Sequence, residues 1–168
     1  MEDIVLVVDD SPEIRELFSF AFSMYKINSL LAENGVHGLE IYKKHMNSIQ
    51  IVISDIKMPE MDGIHLCKEL KKISKDVYII LMTGYAGSYV WDEIIHSGAS
   101  NFFKKPFNVL EIIAAIKNIT RDLHYIKELE SKAVILDQDS AEFVQFNQEI
   151  NTLKQNVYNQ LANKQDIH

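Results

Sequence analysis

Cysteine is almost absent from this chain, because Cys67 is its only cysteine. One cysteine cannot form a disulfide framework or a thiolate metal cluster. Long apolar runs are also absent, and none approaches the roughly 20 residues of a transmembrane helix. The chain opens with Met1, Glu2 and Asp3 and lacks the basic segment of a secretory signal peptide. We therefore expect a cytoplasmic protein that does not associate with membranes.

Basic residues are also fewer than acidic ones. The 168 residues include 17 Lys and Arg against 24 Asp and Glu, which gives a net charge of −7. This excess of acid disfavours a broad contact with a nucleic-acid backbone but leaves room for a bound cation. Residues 122–168 have no basic stripe, so we expect no DNA-binding output domain there.

Short apolar stretches alternate with segments of helical periodicity through residues 1–121. Apolar runs of this length, bounded by turn residues, indicate strands that are buried on both faces. The stretches are residues 4–8, 27–31, 51–55, 77–82 and 101–103. The alternation predicts an α/β fold of the flavodoxin-like kind, with a five-stranded parallel sheet in the order 2-1-3-4-5 and five helices on both faces.

The spacing of apolar residues also predicts the buried faces of the helices. Ser11 and Pro12 are typical of a helix start, and the expected inward residues of this helix are Ile14, Leu17, Phe18, Ala21, Phe22 and Tyr25. The next helix starts at Asn34 and Gly35, with the expected inward residues Val36, Leu39, Tyr42 and Met46.

Polar side chains follow four of the predicted strands, at the points where the strands end. They are Asp9 and Asp10, then Asp55, Thr83 and Lys105. The four strands are neighbours in the predicted order, so these side chains should converge at one edge of the sheet. Three carboxylates favour an oxygen-bound cation such as Mg²⁺, whereas a hydroxyl and an amine favour an anion. Each residue alone could be an ordinary cap or turn, but together they predict a phosphoryl-transfer site.

These residues resemble the receiver domain of bacterial two-component response regulators. The matching motifs are VDDS at 8–11, DIKMPEMDG at 55–63, MTG at 82–84 and KKPF at 104–107, and the resemblance covers about residues 1–121. It implies that Asp55 accepts a phosphoryl group from a sensor histidine kinase or a phosphotransfer protein. It also implies a Mg²⁺ site, suited to Mn²⁺ as well, formed by Asp10, Asp55 and the backbone carbonyl of Lys57, with Asp9 acting largely through water.

The resemblance assigns further roles to residues around the acidic cluster. Lys105 would pair with the phosphoryl oxygens, Thr83 would hydrogen-bond one of them, and Phe102 would be the aromatic switch residue. Lys57 and Tyr85 would flank the path of the water that hydrolyses the acyl phosphate, although both could equally be exposed loop residues. Such a protein is not an enzyme in the usual sense, because it catalyses only its own phosphorylation and dephosphorylation.

A second hypothesis is a Mg²⁺-dependent phosphatase with a related α/β fold. Such enzymes use a strand-end aspartate together with a second aspartate two residues later. In this chain Lys57 stands at that second position, which argues against the phosphatase.

Residues 122–168 lie beyond the resemblance and are expected to be a helical extension of a receiver domain at 1–121. The spacing of Ile116, Ile119, Leu123 and Ile126 predicts that the fifth helix continues past the receiver. The pattern falters after Ser131, and a capping box of Asp139 and Glu142 predicts a further helix.

That further helix has an apolar seam, defined by Phe143, Phe146, Ile150, Leu153 and Val157. The receiver, a second copy of the chain or another protein could cover it. We call residues 122–168 the tail. We expect its two helices to form an antiparallel hairpin that pairs with its copy in a homodimer.

Overall fold

The computed structural model describes residues 3–84, 88–135, 138, 140–158 and 160, without the side chains of residues 88–91. Its strands are β1 Ile4–Val8, β2 Asn28–Ala32, β3 Ile49–Asp55, β4 Tyr78–Thr83 and β5 Asn101–Lys104. They form one parallel sheet in the order β2-β1-β3-β4-β5, which confirms the predicted topology. The helices are α1 Pro12–Met24, α2 Gly35–His45, α3 Gly63–Ile73, α4 Ser88–Ser97, α5 Val109–Ala133 and α6 Ala141–Tyr158.

Side-chain caps fix where four of these helices begin. The side chains of Ser11, Asn34, Asp62 and Asn108 accept hydrogen bonds from backbone N–H groups in the first turns of α1, α2, α3 and α5. Each cap satisfies an amide that has no partner within its helix. All four caps follow carboxyl ends of strands, so they also define the loops at that edge of the sheet.

The sheet is buried on both faces. Side chains of β3 alternate between two cores: Ile51 and Ile53 pack with α1 and α5, while Val52 packs with α2 and α3. Strand β4 is buried along its whole length. This double burial explains why the central strands read as continuous apolar runs in the sequence.

The predicted inward faces of α1 and α2 were too wide. Leu17 and Tyr25 are each 41% exposed, because Phe18, Ala21 and Phe22 already fill the space between α1 and the sheet. Val36 and Met46 are exposed as well. Helix α2 approaches β1 closely through its glycine at position 38, where an added Cβ would lie 2.9 Å from a methyl carbon of Val8. The buried face of α2 is therefore centred on that glycine and Tyr42.

The tail folds back as an antiparallel hairpin, as the sequence predicted. Helix α5 ends at Ala133 and α6 begins at Ala141. The cap of α6 is one residue later than expected: the side chain of Ser140 accepts a hydrogen bond of 3.1 Å from the backbone N–H of Phe143. Asp139, the expected cap, lies outside the described residues.

The apolar seam of α6 is covered largely by the chain itself. Ile150 and Val157 are buried, and Phe146 and Leu153 pack against the same core. The α5 residues in this core include Leu123, Ile126, Leu129 and Ala133. Of the three coverings considered from the sequence, the observed one is packing within the chain.

The end of the tail contacts the base of the sheet, opposite the carboxyl ends of the strands. The side-chain oxygen of Gln160 accepts hydrogen bonds from the hydroxyl of Tyr78 at 2.8 Å and the amide of Asn101 at 3.2 Å. Lys154 forms ion pairs with Glu130 at 2.7 Å and Asp76 at 3.4 Å. The contacts with Tyr78, Asn101 and Asp76 attach the end of the tail to the starts of β4 and β5, whereas the pair with Glu130 joins α6 to α5. None of the helices in the described part of the chain is both long and apolar enough to cross a membrane.

Candidate functional site

The carboxyl ends of β1, β3, β4 and β5 bring the predicted polar residues to one edge of the sheet. Asp55 is the last residue of β3 and lies beside Met82 of β4, and Thr83 lies beside Lys104 of β5. Asp9 and Asp10 follow β1 directly. The register of the parallel strands therefore produces the convergence that the sequence predicted.

Lys105 joins two carboxylates in this site. Its Nζ atom lies 3.0 Å from Oδ1 of Asp55 and 3.1 Å from Oδ2 of Asp9. Asp9 is fully buried and Asp55 is 8% exposed, whereas a quarter of the Lys105 side chain is exposed. The sequence predicted Lys105 as a partner of phosphoryl oxygens, and the structure places it in direct contact with the carboxylates themselves.

Burial and charge act in opposite directions on these groups. Burial raises the pKa of Asp55 above its ordinary value, and the hydrogen bond and charge of Lys105 only partly offset this. Burial also lowers the pKa of Lys105, but the hydrogen bonds and charges of Asp55 and Asp9 outweigh it and leave that pKa raised. Lys105 is therefore held as an ammonium ion beside Asp55.

Three carboxylates at this edge can share one cation. Asp9, Asp10 and Asp55 each offer an oxygen, and these oxygens lie within 4.8 Å of one another. A set of oxygen ligands with one exposed member, Asp10, suits a hard divalent cation that keeps part of its water shell. The donor set therefore fits Mg²⁺.

The loop after β3 is fixed by close backbone contacts. The N–H of Gly63 donates to the carbonyl of Ile56 at 2.9 Å, and a Cβ at Gly63 would lie 2.0 Å from the carbonyl oxygen of Asp55. Asn34 donates a hydrogen bond of 2.9 Å to Glu60, whose φ is 64°. Only glycine fits at position 63, so this residue holds the loop that carries Lys57 against the site.

Lys57 lies on the rim of the acidic cluster. It is exposed, and it lines a groove of 610 Å³ together with residues that include Asp10, His65 and Lys68. Its role in the hydrolysis of an acyl phosphate stays a prediction. Tyr85, the other residue predicted to tune hydrolysis, lies outside the described residues.

The two predicted switch residues occupy neighbouring strands. Thr83 is buried, and its carbonyl accepts a hydrogen bond of 2.6 Å from the backbone N–H of Lys105. Phe102 is half-buried and packs with the core that includes Ile94 and Ala99. The backbone of Thr83 therefore adjoins that of Lys105, and Phe102 packs on the side of the sheet that α3 and α4 cover.

Sequence reasoning missed one residue of the site. Arg15, the only basic residue of α1, reaches back to the turn that carries Asp9 and Asp10. Its position four residues after the helix cap Ser11 is the one signal in the sequence, and that spacing alone indicates no particular contact.

Comparison with known proteins identifies the family. The model of the response regulator receiver domain matches residues 5–117. Sporulation initiation phosphotransferase F of Bacillus subtilis is 35% identical over 117 residues, a match that covers 70% of this chain and 93% of that protein. Regulatory protein AtoC of Escherichia coli is 35% identical over 109 residues, which cover 64% of this chain and 23% of that protein. The chain spans half or less of the length of several other relatives, such as a probable transcriptional regulator of Porphyra purpurea at 47%.

Solved structures agree with this assignment. A receiver domain protein from Clostridium thermocellum has 30% sequence identity and a TM-score of 0.65, covering 69% of this chain and 92% of that one. A chain in the CheX-CheY-BeF3-Mg²⁺ complex of Borrelia burgdorferi has 26% identity and a TM-score of 0.65, covering 70% and 89%. The fold and the acidic edge define a receiver-type α/β domain. The chain belongs to the response regulator receiver family of two-component systems.

Proposed function

We propose that Asp55 is the phosphoacceptor of this receiver. The observation that carries the proposal is the position of Asp55 at the end of β3, within reach of Lys105 and of two further carboxylates. A phosphorylated histidine of a sensor kinase or a phosphotransfer protein would supply the phosphoryl group. The name of the B. subtilis relative, a phosphotransferase, supports a place in a phosphorelay.

The transfer is an in-line displacement at phosphorus. A carboxylate oxygen of Asp55 forms the new P–O bond while the P–N bond to the donor imidazole breaks, and the departing nitrogen keeps the bonding electrons. Lys105 lies 3.0 Å from Asp55, so its ammonium group can move to a phosphoryl oxygen without a large change of position. The hydroxyl of Thr83 would hydrogen-bond a second oxygen and draw its loop inward.

Mg²⁺ supports this reaction in the proposal. Asp10, Asp55 and the backbone carbonyl of Lys57 would hold it, and Asp9 would act through water. When bound, the ion neutralises negative charge on the phosphoryl oxygens. The Borrelia relative, whose complex contains Mg²⁺ and BeF3, supports the choice of metal. Mn²⁺ fits the same oxygen ligands.

The surface of α1 supports docking of a helical phosphodonor. Leu17, Phe20 and Met24 are exposed and lie at i, i+3 and i+7, so they form an apolar stripe on the helix that follows Asp9 and Asp10. A stripe with this spacing is suited to pack against a helix of a partner protein. The partner's histidine would then lie near the acidic edge.

In this proposal the protein works in the cytoplasm, where kinases are supplied with ATP.

The signal of phosphorylation would pass through Thr83 and Phe102 to the surface of α4, β5 and α5.

In this proposal residues 1–121 form the receiver and 122–168 form a helical extension. The chain acts only on its own phosphoryl group, which it accepts and hydrolyses. A Mg²⁺-dependent phosphatase is not favoured, because the exposed Lys57 stands where that reaction needs an acid.

We also propose a homodimer through the outer side of the tail hairpin. Because α6 buries its seam within the chain, this proposal depends on three other residues: Val134 and Ile135, 83% and 84% exposed, and Val144. Light scattering at tens of micromolar, a range that detects moderate affinity, should show a dimer that Ile135→Ser weakens. A monomeric wild type would contradict the dimer.

Phosphorylation of Asp55 has a direct test. The full chain is incubated with Mg²⁺ and either acetyl phosphate or a candidate kinase, and the adduct should be acid-stable and base-labile. Asp55→Asn should abolish it. The matched control is Asp76→Asn, which changes a carboxylate at the opposite edge of the sheet and should label like the wild type. Full labelling of Asp55→Asn would contradict the assignment.

A further inference from the structure

Arg15 holds the backbone on which two of the three carboxylates are mounted. Its Nη1 atom donates hydrogen bonds to the carbonyl oxygens of Asp9 at 2.7 Å and Asp10 at 3.0 Å. This nitrogen carries two protons, so each carbonyl can receive one of them. Both bonds are charge-assisted and hence stronger than those between neutral groups. The guanidinium group therefore clamps two successive peptide groups in the turn between β1 and α1.

The rest of this turn is held mainly at Asp9. The carboxylate of Asp9 accepts hydrogen bonds from the backbone N–H of Ser11 at 3.0 Å and from Lys105 at 3.1 Å. The backbone N–H of Asp9 donates to the carbonyl of Ala32 at 3.1 Å. Asp10, by contrast, is exposed, and Arg15 is the side chain that fixes its carbonyl.

We propose that Arg15 is a positioning residue for the divalent cation. By fixing the peptide groups of Asp9 and Asp10, it keeps the Asp10 carboxylate where its oxygen lies within 4.8 Å of oxygens of Asp9 and Asp55. Arg15 would not touch the metal or the phosphoryl group. This inference rests on the proposed function, in which Asp10 is a metal ligand.

Loss of Arg15 should change the Mg²⁺ affinity in opposite directions, depending on whether Arg15 acts by holding the turn or only through its positive charge. A positive charge near the site opposes the binding of a divalent cation, so its removal would by itself tighten binding. If Arg15 acts through the backbone, its removal lets the turn vary in conformation and weakens binding, because ordering the turn then costs entropy. The sign of the change in affinity therefore separates the two explanations.

The first measurement is calorimetric titration of the full chain with MgCl₂. Arg15→Ala should raise the dissociation constant about tenfold, the change expected if the backbone of about one residue of the turn must be ordered when the ion binds. Arg15→Lys keeps the charge and can reach only part of the clamp, so it should bind with intermediate affinity. The matched control is Arg121→Ala, which removes an exposed arginine of α5 that pairs with Asp122 and should bind like the wild type.

A second readout separates metal binding from chemistry and from folding. The initial rate of phosphorylation by acetyl phosphate is measured against Mg²⁺ concentration. Arg15→Ala should need more Mg²⁺ for half its maximal rate yet keep most of the maximal rate. Thermal unfolding without Mg²⁺ checks that each variant is folded, and if Arg15→Ala is not, Arg15→Lys supplies the comparison.

The outcomes distinguish this inference from the function on which it rests. Affinity that is unchanged or tighter in Arg15→Ala, with a wild type that binds Mg²⁺ and is phosphorylated, overturns the role of Arg15 alone. A wild type that neither binds Mg²⁺ nor accepts a phosphoryl group overturns both. Weaker binding in both Arg15 variants, with an unchanged Arg121→Ala, supports the positioning role.

Discussion

The Nζ atom of Lys105 lies 3.0 Å from Oδ1 of Asp55. The same atom lies 3.1 Å from Oδ2 of Asp9, so one ammonium group stands between two buried carboxylates. Without it the two negative charges would repel each other in a medium that screens them poorly. Lys105 is therefore part of the resting structure as well as a candidate ligand of the phosphoryl group.

Replacement of Lys105 should destabilise the protein. We expect Lys105→Met to lower the free energy of unfolding by about 1–3 kcal/mol without divalent cations, because two charged hydrogen bonds are lost. Urea unfolding measures this, and the neighbouring exposed Lys104→Met is the control. Mg²⁺ should stabilise Lys105→Met more than the wild type, since it can replace the lost charge. Equal stability of Lys105→Met and Lys104→Met would contradict this account.

The raised pKa of Asp55 predicts how stability depends on pH. A carboxyl whose pKa is higher in the folded state binds its proton more tightly there, so its contribution favours folding in acid. That contribution is present below the ordinary pKa of 3.8 and is lost as pH rises through the raised value. Asp55→Asn should therefore be more stable than the wild type at pH 7 without metal, and the difference should shrink towards pH 4.

Thermal unfolding of both proteins between about pH 4 and pH 8, the window in which a moderately raised carboxyl titrates, provides the measurement. Glu40→Gln, at an exposed carboxylate of α2, controls for the loss of one negative charge. A difference between wild type and Asp55→Asn that grows towards acid would show that charge pairing with Lys105, not burial, dominates at Asp55.

Much of the site could be predicted from the sequence because it depends on strand ends. Asp9, Asp55, Thr83 and Lys105 each follow or end an apolar run, and parallel strands bring their ends to one edge. The tail hairpin was predictable for a similar reason, since its break coincides with a loss of apolar spacing.

Contacts between distant segments could not be predicted in this way. Arg15 reaches back across a turn, and Gln160 contacts Tyr78, 82 positions earlier in the chain. Neither contact leaves a periodic trace in the sequence. The exposure of Leu17 was missed for another reason, because apolar spacing does not show how wide a face the sheet can cover.

Among the three carboxylates, Asp10 should be the one whose loss weakens Mg²⁺ binding with the least effect on stability. It is exposed, so Asp10→Ala should leave the free energy of unfolding without metal nearly unchanged. It should abolish Mg²⁺-dependent phosphorylation and weaken Mg²⁺ binding in a calorimetric titration. Asp62→Ala is unsuitable as a control because Asp62 caps α3, so Asp122→Ala on α5 serves instead. Equal Mg²⁺ affinity in Asp10→Ala and the wild type would refute the assignment.

Lys57 should slow the hydrolysis of the acyl phosphate. Its exposed side chain lines the groove that opens beside Asp10, so its removal should widen the approach of water to Asp55. We expect Lys57→Ala to dephosphorylate several-fold faster than the wild type after the phosphodonor is removed. Lys68→Ala, which shortens a lysine of α3 in the same groove, is the matched control. An unchanged rate in Lys57→Ala would identify Lys57 as an exposed loop residue without a role in hydrolysis.

The end of the tail should contribute to the stability of the receiver. Gln160 accepts hydrogen bonds from the buried Tyr78 at 2.8 Å and from Asn101 at 3.2 Å, at the starts of the two strands that lead to Thr83 and Lys105. Gln160→Ala removes the shared acceptor and should lower the free energy of unfolding by about 1–2 kcal/mol. Gln155→Ala, on the exposed side of α6, should change the free energy of unfolding little.

Urea unfolding followed by circular dichroism should show one cooperative transition in each variant, because the tail and the sheet share a core. Two separate transitions, or equal stability of the two variants, would mean that the tail end does not stabilise the sheet.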